Sequence, residues 1–196
     1  MTDTTRVPPA EVDGVAGALV RFVARRRLGR VPASLGVLWH HRGVMTASMG
    51  AGRKVEGWHA LDPRLASYAA MATAATVGCE FCLDFQYFLA HDHGLDEAKA
   101  REVPRWRGST VFSALERRVM EYAEAASLTP PAVTDELSDA LLAELGPAGL
   151  VELAARVGFT NMTARMNVAL GIRSEHFAAA CGLAPLPAPT ARAGAQ

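Results

Sequence analysis

The sequence predicts an all-α protein, a single-domain bundle of about seven or eight helices, and three observations support this. Apolar residues recur at helical spacing along most of the chain. Residues that cap or stop helices punctuate this pattern. Neither an alternating strand pattern nor an internal repeat interrupts it. Half of the 196 residues are hydrophobic and a fifth are charged, which suits one domain with a buried core.

We place the helical domain at residues 9–183 and expect residues 1–8 and 184–196 to be flexible ends. The C-terminal end is rich in Pro and Ala and has no apolar period that a core could bury. Residues 9–56 are expected to form two helices, although several glycines blur their limits.

Caps and breakers define the helices that follow. Asp62 before Pro63 predicts a helix start, and Gly78 predicts its end. The same reasoning gives the other boundaries. The expected helices cover 63–77, 79–93 with Gly94 as the terminator, a short segment between Asp96 and Pro104, 110–126, 134–145 and 147–171, the last two separated by Gly146-Pro147.

The charge pattern argues against two classes of partner. Lys plus Arg and Asp plus Glu each number 20, so neither nucleic acid nor an acidic membrane surface is expected to bind. The apolar stretch 15–23 contains Arg21 and precedes the arginines at 25–27, which is the wrong order for a signal peptide. It is also too short to span a membrane. We therefore expect a cytoplasmic protein without a membrane span.

Cys79 and Cys82 are the strongest functional signal. They lie three residues apart, about 60° around a helix, which is close enough for a disulfide. Unpaired N–H groups at a helix start favour a thiolate, the species that attacks a peroxide or a disulfide. This pattern favours redox or nucleophilic chemistry over inert core thiols. Cys181, near the C-terminal end and without a partner, is interpreted as incidental.

A metal site at this helix is not expected. On one continuous helix His91 lies about half a turn around from Cys82, and His93 lies about 16 Å along the axis. A zinc bond is only about 2 Å long, so these histidines and the cysteines do not form a zinc site. We expect neither a metal nor another cofactor.

The stretch 77–85 resembles the signature of the carboxymuconolactone decarboxylase and alkylhydroperoxidase D superfamily. The similarity covers about residues 55–180 and continues through 122–125, 134–136, Asn161, Arg165 and Asn167. The resemblance implies an alkylhydroperoxidase D-like helical fold. For the peroxidase branch it implies Cys82 as the nucleophile and Cys79 as the resolving cysteine.

The resemblance also implies a proton relay, and this chain departs from it. The relay histidine belongs four residues after the second cysteine, where Gln86 stands, and Gln does not take up a proton at neutral pH. The relay glutamate belongs about a dozen residues before the first cysteine, where Ser67 and Tyr68 stand. Slow peroxide turnover is therefore expected.

Several charged residues are possible supporting groups. Glu80 and Asp84 flank the cysteines, and each is interpreted more readily as facing solvent. His40 and His41 lie in the N-terminal segment. They either fold over the site or belong to a helix surface.

Asn161 and Arg165 share one helix face because they are four residues apart. They either tie the last helix to a neighbour or bind an anionic substrate.

Three functions remain open. The first is a thiol-dependent oxidoreductase acting on a peroxide or a disulfide, with a thiol protein as a possible reductant. The second is a decarboxylase or isomerase acting on a small carboxylate, with His40, His41 or Arg165 in the site. The third is a non-catalytic redox-sensing protein.

We also expect self-association. Helices 63–77 and 147–171 are apolar over more than one narrow stripe, and large exposed apolar patches usually mark interfaces. Dimers are the commonest closed assemblies, and the resemblance implies threefold assembly. A homo-oligomer, either a trimer or a dimer, is therefore predicted.

Overall fold

The fold, taken from a computed structural model, consists of α-helices with no strand among residues 5–92, 94–180, 182 and 186, which are the residues that the structure describes. The predicted all-α class is confirmed. Within this part of the chain the helices are α1 (Gly14–Leu28), α2 (Ala33–Trp39), α3 (Arg42–Glu56), α4 (Pro63–Val77), α5 (Glu80–Asp92), α6 (Glu97–Glu102), α7 (Ala114–Ala126), α8 (Asp135–Ala169) and α9 (Phe177–Ala180). A 3-10 segment, Val103–Gly108, follows α6.

Helix α4 is the centre of the bundle. The Asp62 side chain accepts a hydrogen bond from the N–H of Arg64, and Pro63 occupies the first turn, as predicted. All residues from Leu65 to Ala74 are buried. Alanines dominate this stretch, so α5, α7 and α8 pack closely around it.

Two features of the helices differ from the prediction: the number of helices in the N-terminal segment and the start of α7. The N-terminal segment forms three helices instead of two, because Gly29 ends α1 with a φ of 71° and Pro32 precedes a new helix. Helix α7 starts later than residue 110, because Ser113 and Glu116 cap each other's backbone reciprocally. The predicted break at Gly146 is present inside α8, where Gly146 has φ 69° and ψ 172°.

A buried carboxylate connects α8 to the loop before α4. Glu152 accepts hydrogen bonds from the N–H groups of Ala60 and Leu61 and from the Arg156 guanidinium. Burial alone raises the pKa of the Glu152 carboxyl. The bonds from Arg156 and the two backbone groups outweigh burial and hold that pKa below its ordinary value.

The described part of the N-terminal end contacts the last turn of α8. The backbone N–H of Arg6 donates to the carbonyl of Leu170 at 3.0 Å, and its guanidinium donates to the carbonyls of Val168 and Ala169. A cation at a helix C-terminus is favourable.

The proposed domain limits stay a prediction. Residues 1–4, His93, Cys181 and all of 183–196 except Leu186 lie outside the described residues.

The described helices include none that is both long enough and apolar enough to cross a bilayer.

Candidate redox site

The junction between α4 and α5 positions the cysteine pair. Gly78 has a φ of 77°, a conformation that favours glycine. Its N–H donates to the carbonyl of Ala75, and the N–H of Cys79 donates to the carbonyl of Ala74. These two bonds form a Schellman motif, which ends α4 and places Cys79 immediately before α5.

Cys79 is the residue that caps the start of α5. Its Sγ accepts a hydrogen bond from the N–H of Cys82 at 3.2 Å, and its carbonyl accepts from Leu83. The Cα atoms of Cys79 and Cys82 are 5.2 Å apart, and the two sulfurs lie at disulfide distance. The predicted proximity of the pair is therefore present at the predicted helix start.

Burial distinguishes the two cysteines. Cys79 exposes 1% of its surface and Cys82 exposes 6%. Both belong to the main hydrophobic core, between α4 and α5. Both cysteines are thus buried, and Cys82 is the less deeply buried of the two.

Asn167 donates a side-chain hydrogen bond to the site. Its Nδ2 donates to Cys82 Sγ at 3.3 Å, and both residues are buried. The backbone of Asn167 is held by a second Schellman motif, in which the N–H of Ile172 donates to its carbonyl and Gly171 has a φ of 70°. From the sequence, Asn167 is identified only as part of the family resemblance. Its role at Cys82 was missed because the two residues are 85 positions apart.

The positions of the absent proton relay are occupied by groups that do not exchange protons at neutral pH. Gln86 is half-buried one turn after Cys82. The hydroxyl of Ser67 donates to the carbonyl of Pro63 within its own helix. Burial, with smaller contributions from Glu116 and Asp96, raises the pKa of Tyr68 to about 12. Tyr68 therefore stays protonated at neutral pH and is a poor base.

Asp84 does not face solvent, contrary to the interpretation made from the sequence. It exposes only 8% of its surface and accepts hydrogen bonds from Ser174 Oγ and from the N–H groups of Phe177 and Ala178. A buried carboxylate needs such donors, and here they come from the segment after α8. Asp84 therefore attaches that segment to the cysteine helix.

Glu80 lies at the exposed first turn of α5, as the sequence indicated. Its carboxylate is 3.7 Å from the guanidinium of Arg173, and both side chains are largely exposed. Exposed pairs of this kind contribute little to stability. Neither Glu80 nor Asp84 has a described hydrogen bond to a cysteine sulfur.

An aromatic cluster covers another face of α5. The Phe81 and Phe85 rings stack with centroids 5.9 Å apart, and Phe177 packs edge-on against both. Phe88 completes the cluster, and the guanidinium of Arg30 lies 4.7 Å from the Phe177 ring centroid. These contacts hold the C-terminal segment on α5 beside the cysteines.

His40 and His41 have structural partners in the N-terminal segment. His40 Nε2 lies 2.9 Å from the carbonyl of Pro8, and His41 Nδ1 accepts from the N–H of Val44 at the start of α3. Within the described part of the chain, neither ring has an interaction with the cysteine pair. His41 acts as a helix cap.

Asn161 and Arg165 tie α8 to the end of α7. Asn161 Nδ2 donates to Ser127 Oγ at 2.9 Å, and Arg165 donates to the carbonyl of Ser127 and to Thr129 Oγ1. These bonds match the structural alternative for the two residues. The buried Oδ1 of Asn161 has no hydrogen-bond partner.

Two further features complete the description of possible sites. A groove of about 440 Å³ lies between α7 and the first half of α8, and none of the described lining residues belongs to α5. Across the residues that the structure describes, no group of three or more His, Cys, Asp and Glu side chains is arranged to hold a metal ion.

Comparison with known proteins gives a family match and several similar folds. Residues 44–125 match the Carboxymuconolactone decarboxylase family. The Escherichia coli (strain K12) protein YnjA is 39% identical over 115 residues, which is 59% of this chain and 63% of YnjA. The match thus spans less than two thirds of that relative.

Solved structures share the fold at low sequence identity. A peroxidase-related protein of Ralstonia eutropha JMP134 with an alkylhydroperoxidase AhpD core is 18% identical, with a TM-score of 0.76 over 88% of this chain and 94% of that chain. A variant of the debrominase Bmp8 in complex with 2,3,4-tribromopyrrole is 19% identical, with a TM-score of 0.76 over 89% of this chain and 93% of that chain. At these identities the likeness shows the fold alone.

Proposed function

We propose that this chain, a member of the carboxymuconolactone decarboxylase and alkylhydroperoxidase D-like superfamily, is a thiol-dependent oxidoreductase that reduces a peroxide with Cys82 and Cys79. The observation that carries the proposal is the pair of sulfurs at disulfide distance at the start of α5. A helix start and hydrogen-bond donors favour the thiolate form of a cysteine.

The reaction needs two steps on the protein. The Cys82 thiolate attacks one oxygen of the peroxide, so an S–O bond forms, the O–O bond breaks and the released alkoxide takes a proton to become an alcohol. Cys82 is then a sulfenic acid. The Cys79 thiol attacks this sulfur, so the disulfide forms and water leaves. A dithiol reductant returns two electrons and two protons to the pair.

The roles of the two cysteines follow their burial. Cys82 is the less deeply buried residue of the two and is assigned to meet the peroxide, while Cys79 reacts within the protein. This assignment is the same one that the family resemblance implies. Because Gln86 stands where a relay histidine is implied, the leaving alkoxide takes its proton from water, which makes turnover slow.

Two observations favour this function over the decarboxylase or isomerase alternative. Both candidate bases have structural partners. The His40 ring contacts the backbone carbonyl of Pro8, and the His41 ring caps the start of α3. The candidate anion-binding group, Arg165, is bonded to Ser127 and Thr129. A redox sensor has the same cysteine geometry, so catalytic turnover is the property that separates it from an enzyme.

The first prediction is that hydrogen peroxide converts the reduced pair into an intramolecular disulfide. Tryptic peptide 65–99 contains both cysteines. Mass spectrometry of that peptide should show the loss of two hydrogens after oxidation and their return with dithiothreitol. Cys82→Ala should abolish peroxide consumption, whereas Cys79→Ala should leave a sulfenic acid at Cys82.

The control for this experiment is Cys181→Ser, which should consume peroxide at the rate of the unmodified chain. Free thiols that persist in peptide 65–99 after peroxide treatment contradict the redox function. A redox sensor is identified if the disulfide forms but peroxide is not consumed repeatedly in the presence of excess dithiothreitol and peroxide. Repeated consumption identifies an enzyme.

A further inference from the structure

We propose that Asn167 is a positioning residue that stabilises the thiolate of Cys82 through the hydrogen bond from its amide. This inference rests on the proposed function, since it assigns the group that activates the attacking sulfur. It is not contained in the motif, because Asn167 lies on α8, in a different part of the chain from the pair.

The two sulfurs accept hydrogen bonds from different donors. Cys79 Sγ accepts from a backbone N–H at the start of α5, which is the usual advantage of a capping position. That backbone donor belongs to Cys82, so it cannot serve the sulfur of Cys82 as well. The described donor to Cys82 Sγ is Asn167 Nδ2, at 3.3 Å.

The amide of Asn167 suits this role because its donor capacity does not change with pH. An asparagine NH₂ group donates and has no proton to exchange in the neutral range. A hydrogen bond to a charged group is about twice as strong as a neutral one, so the bond favours the thiolate over the thiol. Asn167 therefore provides charge stabilisation without a proton relay.

The Schellman motif at the end of α8 keeps the donor in place. The carbonyl of Asn167 accepts from Ile172, and the residue is 7% exposed. A side chain that is buried and held on a helix loses little entropy when it donates, so its bond to the sulfur is pre-organised.

The charged groups near the pair have partners other than the cysteine sulfurs. The described charged and titratable groups on α5 and on the elements around it include Glu80, Asp84, Tyr68, Arg165, Arg173 and Glu175. Glu80 pairs with Arg173, and Glu175 accepts from the N–H groups at the start of α2. None of these groups has a described hydrogen bond to Cys82 Sγ, which leaves Asn167 as the described side-chain donor.

The test measures the thiol directly and needs no substrate. In a Cys79→Ser background, reduced protein is alkylated with iodoacetamide from pH 5 to pH 10, and mass spectrometry follows Cys82 separately from Cys181. Replacing the donor by Asn167→Leu should raise the pKa of Cys82 by about one unit. At pH values below both pKa values, alkylation should then be about tenfold slower, with an unchanged plateau at high pH.

A second substitution guards against a folding defect. Asn167→Asp keeps the size of the side chain but places a carboxylate beside the sulfur, so it should raise the pKa of Cys82 further than Asn167→Leu does. Thr163→Val, on the same helix, removes hydroxyl bonds to the carbonyls of Phe159 and Thr160 and should leave the pKa unchanged. Circular dichroism confirms that each variant is helical.

The outcomes separate this inference from the proposed function. If a folded Asn167→Leu or Asn167→Asp variant titrates Cys82 as the parent does, the inference is wrong even when peroxide is turned over. If the pKa of Cys82 rises as expected but no peroxide is consumed by the unmodified chain, the inference stands and the proposed function is wrong.

Discussion

Cys82 has different neighbours from those that its motif implies. A hydrogen-bond donor comes from Asn167 on α8, and Gln86 occupies the place one turn along α5. The first group stabilises negative charge on the sulfur, whereas the second does not move a proton. Asn167 therefore favours the attack of the Cys82 sulfur on a peroxide. Water, and not a side chain at position 86, protonates the leaving oxygen.

The corresponding prediction is that Gln86→His raises the rate of peroxide turnover. An imidazole at this position takes up and donates protons near neutral pH. Acid–base catalysis typically contributes about 10²–10⁴-fold, and an isolated histidine without the relay glutamate should give the lower end of this range. The measurement is steady-state peroxide consumption with dithiothreitol as the reductant.

Gln86→Leu is the matched control and should leave the rate near that of the parent. The argument about the missing histidine is wrong if the unmodified chain already reacts as fast as dedicated peroxidases, or if Gln86→His changes nothing while Cys82 remains reactive towards iodoacetamide.

At the scale of elements, two glycine-terminated helix ends position the site. The end of α4 at Gly78 leads directly into Cys79, and the end of α8 at Gly171 follows Asn167. Each glycine adopts a positive φ, at 77° and 70°. The distance between Asn167 Nδ2 and Cys82 Sγ therefore depends on where α4 and α8 end.

We predict that Gly78→Ala destabilises the fold. A Cβ at this position meets no atom within 4 Å, so the cost arises from the left-handed backbone alone. That conformation costs a non-glycine residue about 1–2 kcal/mol, and urea unfolding should show a decrease of this size in the free energy of unfolding.

Gly158→Ala provides the opposite control within α8. Gly158 is exposed, has no positive φ and also leaves room for a Cβ. Alanine in a helix interior should increase the free energy of unfolding by about 0.5–1 kcal/mol. Equal effects from the two substitutions contradict the assigned role of Gly78.

At the scale of the whole molecule, the exposed apolar surface agrees only in part with the surface on which self-association was predicted. Helix α4 is buried within one chain from Leu65 to Ala74, so it needs no partner. On α8, Val151 is 69% exposed and Met162 is 50% exposed. On α1, Val15 is 93% exposed, and Leu19 and Phe22 are each 65% exposed. Their spacing places them on one helix face.

Homo-oligomer formation therefore stays a prediction, and α1 is where we expect the contact between copies. Light scattering at micromolar concentration should give two or three times the mass of one chain, which is 20.8 kDa. Phe22→Glu should reduce that mass because it places a charge within an apolar contact. Thr46→Glu, an exposed site on α3, should not. A mass near 20.8 kDa for the unmodified chain contradicts the prediction.

The sequence by itself determined the helical class, most helix boundaries and the place of the cysteine pair. These features depend on interactions between residues close in the chain: Asp62 caps α4, Gly78 ends it, and Cys79 and Cys82 are one turn apart. Local geometry is sufficient to predict them.

Only the tertiary structure decided which groups surround the pair. Asn167 and Asp84 have partners about 90 positions away, and such contacts depend on how α4, α5 and α8 pack. Asp84 was interpreted as solvent-facing because a carboxylate is rarely buried, and the donors that permit its burial come from the segment after α8. Burial and long-range hydrogen bonds are properties of the packed bundle, because each requires two distant segments to meet.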